Sequence, residues 1–314
     1  MTQQPVKKQK FTDPCFTAKN EERAWVNLGE LKTLWFNTGT LCNLACVNCY
    51  IESTPKNDRL LYLTHNEVKS YLDEIAEHNL KTSEIGLTGG EPFMNPDIIT
   101  IMEDCLKRGF SLLVLTNAMR PMMKCCQDLL RLKETYGSAL TLRISVDHFS
   151  KNFHEEERGA QSWEPMLKGL KWLSEHGFNI DIAGRTRWGD DEKELRDGFN
   201  QLFKAHKINV DAFHKKQLIL FPEMDDKAGV VEITSACWDI LDVNPDDMMC
   251  ATSRMVVKHK GQNKPSVQAC TLLAYDAQFN LGETLKDATK SVRLNHPHCA
   301  KFCVLGGGAC SVTD

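Results

Sequence analysis

From about residue 33 to residue 222, short apolar runs alternate with longer stretches in which apolar positions recur every three or four residues. The short runs predict strands over residues 34–36, 84–88, 112–116, 141–146, 179–183 and 217–221, each too brief for a helix. The longer stretches predict helices over residues 66–78, 96–108, 122–136, 163–176 and 192–204. The first of these sets Val68, Leu72, Ile75 and Ala76 on one face, the spacing of an amphipathic helix. Thr64 marks its start, with Glu67 three positions on as in a capping box; Gly109 and Gly177 stand just past the ends of two others.

A strand–helix unit repeated in this way builds a parallel sheet covered by helices, an α/β architecture. Six units predict a partial (β/α)6 barrel over residues 33–222 rather than a closed eight-fold one. In such folds ligands collect at the carboxyl ends of the strands. On both sides the pattern lapses. Residues 1–32 are a polar N-terminal extension. Residues 223–314 open on an acidic, turn-like stretch and show little helical periodicity, which predicts a small extension stabilised by something other than a large core.

With 314 residues, 42% of them hydrophobic and 25% charged, the chain has the composition of an ordinary globular protein. A net charge of −4 predicts no general affinity for nucleic acid or for anionic membranes. No apolar run approaches the length of a bilayer span, and the first residues lack the apolar core of a signal peptide, so a cytoplasmic location is expected. Thirteen cysteines change the picture. Disulfides rarely persist in that compartment, and an odd number argues against a complete disulfide framework, so the clustered cysteines point to metal ligation or redox chemistry. The scattered Cys105, Cys125, Cys126 and Cys237 read as small buried hydrophobes.

The densest cluster is Cys42, Cys46 and Cys49 in TLCNLACVNCY, just after the first predicted strand. Three thiolates are one ligand short of a closed structural site. Zinc completed by a distant residue such as His65 is one reading, and a four-iron cubane with one iron left open is the other. Thr88-Gly89-Gly90-Glu91-Pro92 follows the second strand, where glycines allow close backbone approach and Glu91 offers an acceptor. Thr116-Asn117 ends the third strand and Ser145-Val146-Asp147 the fourth. Arg185 follows the fifth, and its fork suits a carboxylate.

In these motifs the chain resembles the radical S-adenosylmethionine (SAM) superfamily, through the cysteine loop with its aromatic Tyr50 and the Gly-Gly-Glu-Pro turn. The resemblance implies a [4Fe–4S] cluster held by Cys42, Cys46 and Cys49, with the open iron chelated by SAM. It implies SAM contacts from Tyr50, Gly89, Gly90, Glu91, Asn117, Ser145, Asp147 and Arg185. Reductive cleavage of SAM to a 5′-deoxyadenosyl radical, which abstracts a substrate hydrogen, is the implied chemistry. Ala118 departs from the family pattern, where glycine usually follows the Thr-Asn pair. His154 to Gly159, followed by Trp163, resembles a motif of members with a cysteine-rich C-terminal extension, although one extra residue precedes Arg158.

Cys250, Cys270, Cys299, Cys303 and Cys310 fall in the last quarter of the chain. Val256-Val257 and Val267, with Gly261-Gln262-Asn263 between them, read as a hairpin that draws Cys250 and Cys270 together. Four thiolates at this point suit zinc as well as iron and sulfur. The family resemblance extends to the SPASM and twitch extensions, which implies one auxiliary [4Fe–4S] cluster held by Cys250, Cys270 and two of the remaining three. His296 and His298, beside Pro297, read as surface loop residues. The implied function is an oxidoreductase or lyase-type enzyme that oxidises or rearranges a small molecule, fed by an electron donor such as flavodoxin or ferredoxin. The alternatives are maturation of a ribosomal peptide or a tetrapyrrole and, outside enzymes, a zinc-binding scaffold or regulator.

Overall fold

The computed structural model describes residues 9–222 and 229–307. After a short strand β1 (Trp25–Val26) come β2 (Thr33–Asn37), β3 (Glu84–Thr88), β4 (Ser111–Thr116), β5 (Leu140–Ser145), β6 (Asn179–Arg185) and β7 (Leu218–Phe221). Strands β2 to β7 pair in parallel and in chain order, the arrangement that a repeated strand–helix unit dictates. Helices α1 (His65–Glu77), α2 (Ile98–Lys107), α3 (Arg120–Lys124), α4 (Cys126–Tyr136), α5 (Lys151–Arg158), α6 (Trp163–Glu175) and α7 (Glu192–His206) fill the connections. The two-residue period of the strands sorts their side chains. Leu34, Phe36, Ile85 and Leu87 join the large core beneath the helices, while Trp35 turns inward to pack with Leu113, Met255 and Val257.

The capping box at Thr64 and Glu67 forms as the spacing predicts, and Gly109 and Gly177 adopt positive φ. Two local expectations change. The helix predicted over residues 122–136 is two helices broken at Cys125, and the first starts earlier because Pro121 suits an N-terminal turn. Helix α5 escapes the hydrophobic pattern because the residues it buries, His154 and Glu157, are polar.

The described remainder of the chain contains α8 (Cys237–Leu241), α9 (Met249–Thr252), β8 (Ser253–Val257), β9 (Ser266–Gln268), β10 (Asn280–Gly282) and β11 (Val292–Arg293). The expected hairpin is β8 with β9, and β8 also pairs in parallel with β2, from Thr33 opposite Ser253 to Phe36 opposite Val256. Among the described residues one sheet of nine strands therefore runs from β10 to β7. The N-terminal extension is tied down too. β1 pairs with β11, and the fully buried Arg23 reaches the Asp13 and Phe16 carbonyls and Glu232, the last at 2.6 Å.

Candidate functional site

The carboxyl ends of β2 and β3 are joined by main-chain hydrogen bonds. Gly90 N donates to Gly39 O at 2.7 Å and Glu91 N to Leu41 O at 3.1 Å. A Cβ on Gly90 would lie 2.2 Å from Leu41 O, and one on Gly89, whose φ is +149°, would lie 2.6 Å from Gly39 O. Only glycines let the approach to Cys42 lie directly on the turn after β3.

Cys42, Cys46 and Cys49 consequently face a cavity of about 110 Å³ whose walls include Tyr50, Gly89, Gly90, Asn117, Ser145 and Arg185. Arg158 lines it as well. An adjoining cavity of about 120 Å³ shares Tyr50, Leu115, Ser145, Arg158 and Arg185, and adds Asp147, Phe221, Leu272 and Phe302. Of the residues that the family resemblance assigns to SAM, Glu91 alone lines neither cavity. It is buried and accepts hydrogen bonds from Thr116 Oγ1 (2.8 Å), Asn117 N (2.9 Å) and Phe93 N (3.3 Å), so it clamps the end of β3 to the end of β4. Asn117 in turn donates to Asn43 Oδ1 at 2.9 Å. His65 stands apart, bonded to Asp104 at 3.0 Å.

The thiols meet donors. Leu44 N lies 3.4 Å from Cys42 Sγ, Ser53 N lies 3.3 Å from Cys49 Sγ, and Arg158 Nη1 lies 3.9 Å from Cys46 Sγ. Burial pushes the Cys42 thiol up to about 12 and the Cys46 thiol in the same direction. At these two positions a thiolate is therefore favoured by a bound cation, and metal binding there would release protons. Among the described residues no three His, Cys, Asp or Glu side chains converge as a single ion requires. Three thiols around a cavity, with N–H donors and a guanidinium directed at sulfur, suit an anionic cluster larger than one ion.

Helix α5 holds this loop from the other side. Glu157, fully buried, accepts from Asn48 N (2.9 Å) and Asn48 Nδ2 (2.8 Å) and pairs with Arg187 at 3.0 Å. Its neighbour Arg158 meets Asp147 Oδ2 at 2.5 Å, and Arg185 meets Asp147 Oδ1 at 3.1 Å. Burial alone would push the Asp147 carboxyl up; the two guanidiniums and the Arg158 hydrogen bond outweigh it and hold that carboxyl below its ordinary value. The sequence reading passed over Glu157 and gave Arg158 a place in a motif but none in the site. The one signal was the His154–Gly159 motif.

A second group of thiols forms behind Leu272. Cys250 on α9, Cys270 after β9, and Cys299 and Cys303 line one cavity with His298, between apolar walls that include Leu273, Phe279 and Leu294. Cys299 and Cys303 belong to a wide helical turn, Cys299–Val304, in which Leu305 N donates to Ala300 O. Their four-residue separation keeps both on one side of it. Leu272 N lies 3.3 Å from Cys270 Sγ. Burial pushes Cys250 up to about 11 and Cys299 well above the ordinary thiol value. Cys310 lies outside the described residues. Cys105 is buried in the core as expected, and Cys125 and Cys237 pack against it.

A family description, the Radical SAM superfamily, matches residues 36–197, a little over half of the chain. Over 270 residues the chain is 26% identical to the antilisterial bacteriocin subtilosin biosynthesis protein AlbA of Bacillus subtilis, covering 80% of this chain and 57% of AlbA. Among solved structures, SuiB of Streptococcus suis bound to its precursor peptide SuiA superposes with a TM-score of 0.58 at 13% identity, covering 84% of this chain and 66% of that one. The protein anSMEcpe with bound AdoMet superposes with a TM-score of 0.56 at 13% identity, covering 82% and 80%. At such identities the structural likeness shows the fold, and the chain spans little more than half the length of AlbA.

Proposed function

Because the chain belongs to the radical SAM superfamily, whose members are enzymes that use a [4Fe–4S] cluster and SAM, we propose that it is a peptide-modifying radical SAM enzyme with one auxiliary cluster. The observation that carries this reading is the convergence of three thiols, the Gly89-Gly90 turn and two arginines on one cavity at the strand ends. When bound, the cluster and SAM supply a low-potential electron and a 5′-deoxyadenosyl radical that takes a hydrogen from the substrate.

Everything else is the work of this chain. Cys42, Cys46 and Cys49 hold the first cluster, and the N–H groups of Leu44 and Ser53 stabilise their charge. Gly89 and Gly90 leave room for the polar end of SAM beside the loop, and Asn117 and Ser145 offer it hydrogen bonds. Arg185 and Arg158, spaced by Asp147, present positive charge to its carboxylate and to the cluster. Tyr50 lines both cavities and would meet SAM there, and Glu91 supports the wall through Thr116 and Asn117. The substrate enters the adjoining cavity, where Leu115, Phe221, Leu272 and Phe302 keep water from the reacting carbon.

Residues 33–222 serve as the barrel, and residues 223–314 carry the auxiliary site. Its ligands are Cys250, Cys270, Cys299 and Cys303, which share one cavity. Support for a peptide over a free small molecule comes from the two relatives, one a bacteriocin biosynthesis protein and the other bound to a precursor peptide. A flavodoxin or ferredoxin is the proposed reductant and the cytoplasm the proposed location. No helix among the described residues is long and apolar enough to cross a membrane.

Anaerobically reconstituted protein should be brown and carry about eight irons, two four-iron clusters. With reductant it should release 5′-deoxyadenosine from SAM, faster with a precursor peptide than with small molecules, and deuterium from the labelled peptide should appear in that product. Colourless, zinc-loaded protein would overturn the enzymatic reading. Stimulation by a small molecule alone would overturn the peptide assignment.

A further inference from the structure

Four arginines among the described residues are buried: Arg23, Arg143, Arg196 and Arg254. Three of them face a carboxylate: Arg23 meets Glu232 at 2.6 Å, Arg143 meets Asp181 at 3.3 Å and Arg196 meets Glu192 at 2.8 Å. Arg254, on β8 and 1% exposed, faces none among the described residues. Its donors go to main-chain carbonyls. Nε reaches Ala288 O at 2.9 Å, Nη1 reaches Cys250 O at 2.6 Å and Ser253 O at 2.8 Å, and Nη2 reaches Lys290 O at 3.2 Å.

Those carbonyls satisfy hydrogen bonds but carry no net charge. A guanidinium does not lose its proton to escape burial, and a buried charge without a counter-charge is costly. Among the described residues, the groups acting on Arg254 that can turn negative are the thiols of Cys250, whose own carbonyl Arg254 holds, and of Cys270. They share their cavity with Cys299, Cys303 and apolar walls, a surrounding that screens little. The first cysteine site differs, because its two arginines already share Asp147.

We propose that Arg254 is the buried counter-charge of the C-terminal cysteine site, fitted to a thiolate-bound iron–sulfur cluster and raising that cluster's reduction potential. The inference rests on reading this site as an iron–sulfur site. Four thiolates leave such a cluster negative, and one added electron makes it more so. A fixed positive charge beside it favours the reduced state over the oxidised one. The same charge makes the site a better acceptor for an electron left on a substrate after hydrogen abstraction. Arg254 touches no substrate. It is a positioning residue, acting through the cluster.

The test uses the full chain with Cys42, Cys46 and Cys49 all changed to Ala, so that remaining iron belongs to the C-terminal site. After anaerobic reconstitution, iron and zinc are counted, and the cluster is titrated with dithionite and mediators while its electron-spin signal is followed. About four irons should remain. Adding Arg254→Met should lower the reduced-to-oxidised ratio at the parent's midpoint at least tenfold, a 59 mV fall for one electron. Arg254→Lys keeps the charge and loses the fork. It should melt earlier but hold that ratio within about threefold of the parent. If Arg254→Met does not fold, Arg254→Gln is read in the same way.

No iron, or zinc in its place, overturns the cluster reading and this proposal with it. Iron present with an unmoved ratio in the neutral variant overturns the proposal alone. So does an equal shift in Arg254→Lys, which would trace the effect to lost hydrogen bonds and not to charge.

Discussion

The two cysteine sites solve opposite problems. Cys42, Cys46 and Cys49 come from one short loop, face a cavity, and are surrounded by polar groups that already answer one another: Arg158 and Arg185 with Asp147, Asn48 with Glu157. Cys250, Cys270, Cys299 and Cys303 come from distant stretches, sit between apolar walls and have a buried guanidinium beside them. A loop offering three thiols beside open space leaves a place for a ligand. Four thiols gathered in an apolar enclosure leave none, which suits electron storage or bracing.

The largest effect that separates the two is loss of a single thiol from each. Cys46→Ala should abolish release of 5′-deoxyadenosine and halve the iron. Cys270→Ala should also cost iron but keep the first cluster, with SAM cleavage reduced and not abolished. Iron analysis beside product chromatography decides it. Equal total loss of cleavage in both would dissolve the distinction between an open and a closed site.

Next in size is Gly90→Ala. A Cβ placed 2.2 Å from Leu41 O must push the cysteine loop off the turn after β3. Overpacking of this kind costs about 1–3 kcal/mol, and the displacement should lower SAM cleavage roughly tenfold or more, at 1.36 kcal/mol per decade. The C-terminal site should keep its iron. A variant that loses iron at both sites equally would show that the turn supports the whole sheet and not this loop.

How much of this was legible beforehand follows from the range of each interaction. The strand Glu84–Thr88 and the helix starting after Thr64 are local patterns, a run and a cap, and their bounds match to within a residue. The cysteine loop and Gly89-Gly90 are equally local, and the structure brings them to one cavity. What stayed hidden depends on partners far apart in the chain. No periodicity tells β8 that its parallel neighbour is β2, with Ser253 opposite Thr33. Glu157 looks like one acid in a charged run until Asn48 and Arg187 are placed around it. Arg254 looks like any strand arginine until its burial, with no carboxylate facing it among the described residues, is seen.

A smaller test asks whether the two sites are mechanically joined. Tyr275 OH donates to Ile51 O at 2.9 Å, two residues beyond Cys49, and Arg59 lies over its ring at 3.5 Å. Tyr275 itself follows Cys270 by five residues. Tyr275→Phe should lower stability by about 1 kcal/mol, the worth of one hydrogen bond. Iron at both sites should be unchanged, while SAM binding weakens by a few-fold. Unaltered SAM affinity would mean that the contact ties the fold together without setting the loop.

The smallest effect concerns the side of the first site that faces α5. His154 is fully buried, neither ring nitrogen has a hydrogen-bond partner among the described residues, and its ring meets the edge of Trp163 at 5.3 Å. Burial, then the Arg158 charge, lowers its pKa to about 4, and Asp147 only partly offsets them. Below the ordinary histidine value of about 6.5 the unfolded chain takes up a proton that the folded chain refuses, so the unfolded state binds more protons and stability falls with pH. The loss begins as pH drops through about 6.5 and levels off near 4, where the folded chain is protonated too. Between pH 7 and pH 6 it amounts to about 1 kcal/mol or less. His154→Phe keeps a ring against Trp163 and removes the titration. Its melting temperature should therefore fall less than the parent's over that interval. Identical pH slopes for variant and parent would mean that His154 gains a partner in solution and that the polar wall behind Asp147 is arranged otherwise.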